Sequence, residues 1–241
     1  MDFKLIEKRE EAKGTKSFFF GPESKIDWLP GQYFYITLPK LNHEDPKGNI
    51  RHFTNAASPT EGNVMRITTR VRPESGFKQT LDELQIGTVV EGRGPNGIFT
   101  MDENTTGNHI FLAGGIGITA ARSIAKFVFD KNIGINLTIV YSNSIPEEIT
   151  FKDELEGWAK EHNNFKLYMT ISKPDESKEK WEGKVGRIDQ KLLTELFSKE
   201  DMKKSTFWVC GPSAMVTGME DMLSKMRVPL DSIRTEKFTG Y

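Results

Sequence analysis

Residues 111–120 read Phe-Leu-Ala-Gly-Gly-Ile-Gly-Ile-Thr-Ala, and residues 207–212 read Phe-Trp-Val-Cys-Gly-Pro. Each is an apolar run that stops at glycine ahead of a helix-like stretch. A strand that turns into a helix at glycine presents backbone N–H groups at the positive end of the helix dipole, which favours a pyrophosphate. Gly115, Gly117 and Ala120 also fit the dinucleotide spacing G-x-G-x-x-G/A. Glycine turns after strands are common, and the second turn, with Cys210 just before Gly211-Pro212, sharpens the pattern. A further constellation is Arg51-His52-Phe53-Thr54, an arginine, an aromatic and a hydroxyl within four residues. In extended structure Arg51 and Phe53 share one face, and His52 and Thr54 the other.

The elements that must position these residues fall into two grammars. Up to about residue 100, short alternating runs recur: 3–8, 16–20, 32–38, 65–71 and 88–92. Clusters such as Gly21-Pro22, Pro30-Gly31 and Gly94-Pro95-Asn96-Gly97 punctuate them. Closely spaced strands with turn signals predict a small antiparallel barrel, here six-stranded, with one helical insert over 76–84. After Asp102-Glu103-Asn104, strand-like runs at 109–113, 135–141, 165–171 and 206–210 alternate with helical ones at 120–130, 151–162, 190–199 and 213–226. This βαβ pattern predicts a five-stranded parallel sheet. The expected domains are therefore 1–104, an antiparallel barrel, and 105–241, an α/β domain. Thr150 with Asp153, Asp189 and Ser213 are expected to cap helices. Met215, Met219, Met222, Leu223 and Met226 repeat at helical spacing and are expected to pack in the core.

Composition narrows the function. The chain has 241 residues, 37% of them hydrophobic and 28% charged, with a net charge of −1 and no basic block. Nucleic acid is an improbable partner on that balance. No apolar stretch approaches a membrane span, and Met1-Asp2-Phe3-Lys4 opens without an apolar signal core. One cysteine excludes an internal disulfide and a four-cysteine iron–sulfur cluster within this chain, and a reducing cytoplasm is the expected location. His43, His52, His109 and His162 show no ligand spacing, so no metal site is expected.

In order, Arg51-His52-Phe53-Thr54, Thr68-Thr69-Arg70-Val71, Glu74-Ser75-Gly76-Phe77 with Thr80, and Gly94-Pro95-Asn96-Gly97-Ile98-Phe99 resemble the flavin half of the ferredoxin–NADP reductase family. Ala113-Gly114-Gly115-Ile116-Gly117-Ile118-Thr119, Tyr141-Ser142-Asn143, Cys210-Gly211-Pro212 with Met215, and Glu236-Lys237-Phe238-Thr239-Gly240-Tyr241 resemble its nicotinamide half. The resemblance spans nearly the whole chain.

It implies FAD and a nicotinamide dinucleotide as cofactors. Arg51 would pair with the flavin pyrophosphate through a planar fork that stays charged. Phe53 stands where relatives usually carry tyrosine; it keeps the stacking on the isoalloxazine and loses a hydroxyl. Thr54 would approach flavin N5, and His52, Thr69, Arg70 and Val71 would flank the flavin. Ser75, Gly76, Phe77 and Thr80, at a helix start, would complete the pyrophosphate site. Gly114, Gly115, Gly117, Ile118 and Thr119 would let the NAD(P) pyrophosphate approach the backbone. Tyr141, Ser142, Asn143, Gly211, Pro212 and Met215 would border that nucleotide. Cys210 would lie beside the nicotinamide, with Glu236 accepting a hydrogen bond from either, and Phe238 would cover the flavin face that the nicotinamide must reach.

A dehydrogenase would end its second strand on an acid that holds the ribose, but residues 141–144 are Tyr-Ser-Asn-Ser, with no acid and no arginine. That favours the reductase family over a dehydrogenase and, for want of a 2′-phosphate clamp, NADH over NADPH. The implied activity is hydride transfer from NAD(P)H to FAD, then electron delivery to ferredoxin, flavodoxin, a haem protein, a ferric chelate or an oxygenase component. The alternatives are an electron-transfer subunit inactive without its partner and a flavin-free dinucleotide module. A chain ending at Tyr241 without a cysteine-rich tail favours a free-standing reductase, and the flavin motifs disfavour the third reading.

Overall fold

The computed structural model of the chain describes residues 1–239. Its first half is a six-stranded antiparallel sheet built from β1 (Asp2–Ala12), β2 (Thr15–Pro22), β3 (Tyr33–Thr37), β4 (Ile50–Thr54), β5 (Met65–Arg70) and β6 (Val89–Asn96), with α1 (Gly76–Glu83) inserted before the last strand. The strand order β4-β3-β6-β1-β2-β5 curls into a half-barrel. Alternation supplies its core: Phe3, Leu5, Phe18, Phe20, Phe34, Ile36 and Ile67 point inward with Phe77 and Leu81 of α1. The six strands and the insert match the sequence expectation.

The second half holds β7 (Asn108–Gly114), α2 (Ile118–Asp130), β8 (Asn136–Asn143), α3 (Lys152–Glu161), β9 (Phe165–Ile171), β10 (Lys184–Val185), α4 (Gln190–Leu196), α5 (Lys199–Lys204), β11 (Ser205–Pro212), α6 (Ser213–Lys225) and β12 (Ile233–Phe238). The order is β10-β9-β8-β7-β11-β12, all parallel. Six strands stand where five were expected. The short edge strand β10 pairs only Lys184 and Val185 with the end of β9, and two residues carry no apolar run to read. Alternate residues of β7, β8 and β11 serve two cores. Phe111, Ala113, Leu137, Ile139 and Trp208 face α2 and α3, whereas Ile110, Leu112, Val140, Phe207 and Val209 face the opposite helical layer.

The local expectations divide. Asp189 caps α4, accepting from the Leu192 N–H at 2.8 Å. The methionine stripe of α6 packs as expected: Met219 is buried, and Met215, Met222 and Met226 lie against the same cluster. Thr150 does not cap α3. Phe151 takes that position in a left-handed conformation with no side-chain bond, and the Thr150 N–H donates instead to the Tyr141 hydroxyl at 3.3 Å. Ser213 is the first residue of α6 rather than its cap, because Pro212 closes β11 immediately before it. The helix expected over 190–199 is two, since Ser198 and Asp201 form a capping box that starts α5.

One buried cation ties the two halves together. Arg122 of α2, 2% exposed, donates to both carboxylate oxygens of Glu61, which follows β4, to both of Glu154 in α3, and to the Ala56 carbonyl at 3.0 Å. The Ser123 hydroxyl adds a 2.7 Å bond to the Ala57 carbonyl. Ala56, Phe99 and Met101 also join the core of the second half. Among the described residues no helix is long and apolar enough to cross a membrane.

Candidate active site

A cleft of about 450 Å³ opens where the two sheets meet. The half-barrel contributes Arg51, His52, Phe53 and Thr54 from β4, Thr68 and Thr69 from β5, Tyr33 from β3 and Lys78 from α1. The parallel half contributes Ile116 and Thr119, and, from β12 onward, residues 235–239 including Glu236 and Phe238. Gly240 and Tyr241, the end of the last motif, lie outside the described residues.

Strand pairing accounts for the half-barrel wall. Tyr33 sits opposite Thr54 in the β3–β4 register, so it was reachable from the sequence once that pairing was known. Arg51 and Phe53 share a face as expected: the guanidinium lies 5.3 Å from the Phe77 ring centroid and the Phe53 ring 5.9 Å from it. His52 packs on the other side, against Tyr33 and Tyr35. Gly97, Ile98 and Phe99 complete this wall; Ile98 is 95% exposed at its mouth.

Charge gathers at the start of α1. Ser75 caps the helix, accepting from the Lys78 N–H at 3.3 Å. Burial, and then the neighbouring charges of Arg72, Arg51, Arg70 and Lys47, push the Lys78 ammonium down to about 8. Such crowding of cations over a helix N-terminus suits a diphosphate. Lys78 was not singled out from the sequence because an isolated lysine in a helix carries no signal; its neighbours are set by the fold. Arg70 also pairs with Glu148 at 3.1 Å and lies close to Gly115, so it spans both halves.

The glycine turns meet at the switch between β7 and β11, whose connections leave in opposite directions. Neither α2 nor α6, which start there, has a side-chain cap, so their terminal N–H groups are left to backbone, water or ligand. Met215 packs onto both Gly114 and Gly211. Thr119 lines the cleft and donates to the Ile116 carbonyl at 3.0 Å. Tyr141 is fully buried and donates to the Gly115 carbonyl at 3.0 Å, so it braces the glycine turn from behind. Asn143 is buried as well, Ser142 partly so, and Val71 packs beside the half-barrel core. Gly76, Phe77 and Thr80 lie beneath the loop that precedes β4, outside the cleft wall.

Cys210 and Glu236 are opposite one another in the β11–β12 register. Cys210 is fully buried behind Gly117, and burial, then the charge of Glu236, drives its thiol above the ordinary range. It is a neutral thiol there, without thiolate chemistry. Burial also pushes the Glu236 carboxyl from an ordinary 4.5 to about 7, and its Oε2 has no hydrogen-bond partner among the described residues. The folded chain thus holds this proton more tightly than the unfolded one. Stability from this group is full below about 4.5, falls as pH rises and is lost once pH passes about 7. Because the cleft leaves Glu236 some water, Glu236→Gln is expected to stabilise the flavin-free protein by about 2 kcal/mol near pH 8 and by nothing near pH 4. Thermal unfolding at the two pH values checks this; an equal effect at both would refute it.

Two family descriptions match the sequence: an oxidoreductase FAD-binding domain over residues 2–101 and an oxidoreductase NAD-binding domain over residues 111–221. The chain joins an oxidoreductase FAD-binding domain to an oxidoreductase NAD-binding domain, on a ferredoxin–NADP reductase-like fold. It is 28% identical over 232 residues to the glycine betaine monooxygenase reductase subunit of Chromohalobacter salexigens, covering 95% of this chain and 61% of that one. It is 28% identical over 230 residues to NADH-cytochrome b5 reductase 1 of Aspergillus oryzae, covering 91% and 76%. An Amycolatopsis cytochrome P450 reductase superposes with a TM-score of 0.84 at 21% identity, over 99% of this chain and 70% of the other, which shows the shared fold. The chain thus spans about three-fifths of the reductase subunit it matches.

Proposed function

We propose that this reductase takes hydride from NADH onto FAD held in the cleft and passes electrons to a haem protein or an oxygenase component. The observation that carries this reading is the meeting of β4 and β12 in one cavity, where Phe53 and Thr54 of the flavin motif face Glu236 and Phe238 of the nicotinamide motif. Bound FAD would supply the redox chemistry, accepting a two-electron hydride and releasing electrons to the acceptor. Phe53 would hold the flavin ring by stacking, and Arg51 with the α1 start would hold its diphosphate. Thr54 would donate its hydroxyl proton in a hydrogen bond at the reacting edge. The β7 and β11 glycine turns would admit the nicotinamide diphosphate. Cys210 would shape the nicotinamide pocket as a small apolar wall, and protonated Glu236 could donate a hydrogen bond towards it.

NADH is favoured because β8 ends without arginine, while Lys173, near the end of β9, is engaged by Glu176 at 2.9 Å. The relatives' names favour the acceptor class: one is the reductase subunit of a monooxygenase and one reduces cytochrome b5. The former also supports the second reading, a subunit that turns over only with its partner.

The test is to purify the protein, record flavin absorbance at about 450 nm, and follow NADH and NADPH oxidation with cytochromes, ferredoxins, flavodoxins and artificial dyes. Absence of bound flavin, or of NADH-driven flavin reduction, would end the proposal. Thr54→Ala is expected to keep FAD bound and slow flavin reduction about tenfold, the value of one lost hydrogen bond at the reacting edge. Stopped-flow mixing at saturating NADH reads that rate, and an unchanged rate would remove Thr54 from the site.

A further inference from the structure

The groups proposed to receive the FAD diphosphate are engaged by a single loop. Residues 38–49 connect β3 to β4 and fold back over the start of α1. At the centre is the Asp45 carboxylate, whose side chain is 4% exposed. One of its oxygens pairs with Arg51 Nη2 and accepts the Lys47 N–H at 3.0 Å; the other accepts the Phe77 N–H at 3.0 Å and the Ser75 hydroxyl at 3.1 Å. Thr80 is taken too, its hydroxyl accepting the Asn42 N–H at 2.9 Å. A Cβ at Gly76 would stand 2.2 Å from the Glu44 carbonyl oxygen and 2.6 Å from that of His43, so the loop backbone lies directly on the helix start.

We propose that Asp45 is a resident anion that occupies the diphosphate site and is displaced when FAD loads, so that flavin binding is an exchange of carboxylate for diphosphate. The inference rests on the reading of the site given above. Its basis is the donor set: a cationic fork, a backbone N–H at a helix start and a serine hydroxyl converge on one carboxylate as they would on a phosphate. Two phosphates cannot reach Phe77 N–H and Arg51 while Asp45 holds both. The exchange has a direction. Asp45 brings one negative charge to a site ringed by Arg51, Arg70, Arg72, Lys47 and Lys78, where burial first and the neighbouring cations second lower the Lys78 ammonium. A diphosphate brings more. The loop tip, residues 46–48, is exposed; Arg51 Nη1 donates to its Lys47 and Gly48 carbonyls at 2.8 and 3.0 Å, bonds that the exchange must also open, and the outer ties are surface bonds from Asn42 and His43 to Glu83 at 2.9 and 2.6 Å.

The test is FAD affinity by fluorescence quenching on the full chain stripped of flavin, comparing Asp45→Asn, Asp45→Ala, Arg51→Ala and the parent. Each Asp45 variant is expected to bind FAD roughly tenfold to a hundredfold more tightly, since it removes a charge-assisted competitor. Riboflavin, which has no phosphate, should bind the parent and both variants alike. Hydrogen exchange of residues 42–48 in the parent should quicken when FAD is added, a readout that needs no variant to fold. FAD affinity unchanged or weakened in both Asp45 variants, or slower exchange of the loop on FAD addition, overturns the exchange. If Arg51→Ala leaves FAD affinity unchanged, the site itself has been misplaced, and the exchange falls with it.

Discussion

Replacing Arg122 by methionine is expected to cost about 3 kcal/mol of stability, lowering the melting temperature by roughly 6–12 °C for a chain of this size. Methionine matches much of the arginine's length, so the loss is chiefly electrostatic. Glu61 and Glu154, with side chains 24% and 30% exposed, would be left facing each other without their shared cation, and the Ala56 carbonyl would lose its donor. Breaking a buried ion network by removing one member leaves uncompensated charge, whereas replacing all of its members with neutral groups often costs little. The triple variant Arg122→Met, Glu61→Gln, Glu154→Gln should therefore recover most of the loss. Calorimetry on the single and triple variants decides it. A single variant melting within about 2 °C of the parent, or a triple variant less stable than the single, would show that the clamp contributes little. Because the clamp joins the two walls of the cleft, the single variant should also slow NADH-driven flavin reduction.

Gly117→Ala is expected to be nearly as damaging to stability and more damaging to turnover. A Cβ at this position would lie 2.3 Å from the Cys210 carbonyl oxygen, 2.6 Å from the Cys210 carbonyl carbon and 2.7 Å from the Gly211 Cα. These are backbone atoms of a central strand, and no rotamer change relieves the contact. The start of α2 must separate from β11, at about 3 kcal/mol, the upper part of the range for overpacking. The displaced elements carry both glycine turns, and a misplacement of about 1 Å at reacting groups can cost on the order of a hundredfold in rate. FAD affinity should change little, since Arg51 and α1 lie in the other half. Melting temperature, FAD titration and stopped-flow reduction by NADH separate the three effects. A variant with parental NADH reduction would show that the approach of α2 to β11 does not matter to the chemistry.

Most elements and all the motifs were legible along the chain, because both are local. Alternation of apolar residues marks strands, and glycine after an apolar run marks the turn into a helix, within windows of about ten residues. From those windows came the six strands of the expected barrel, the runs of β7, β8, β9 and β11 in the parallel sheet, the helix after Ser75 and the stripe on α6. Where a local signal failed, another local group had taken the role, as when Phe151 displaced Thr150 at the start of α3 and the Ser198 capping box split one helix into two.

Tertiary structure alone decided what occupies the proposed diphosphate site, what clamps the halves and which groups are shielded from water. Asp45 reaches the Phe77 N–H across 32 residues, and Arg122 reaches Glu61 across 61. Cys210 faces Glu236 only because β11 and β12 pair in that register. The shifted titrations of Lys78 and Glu236 arise from burial and neighbours that no residue carries in its own identity. Contact between distant segments depends on how whole layers pack, so it leaves no pattern in a short window of sequence.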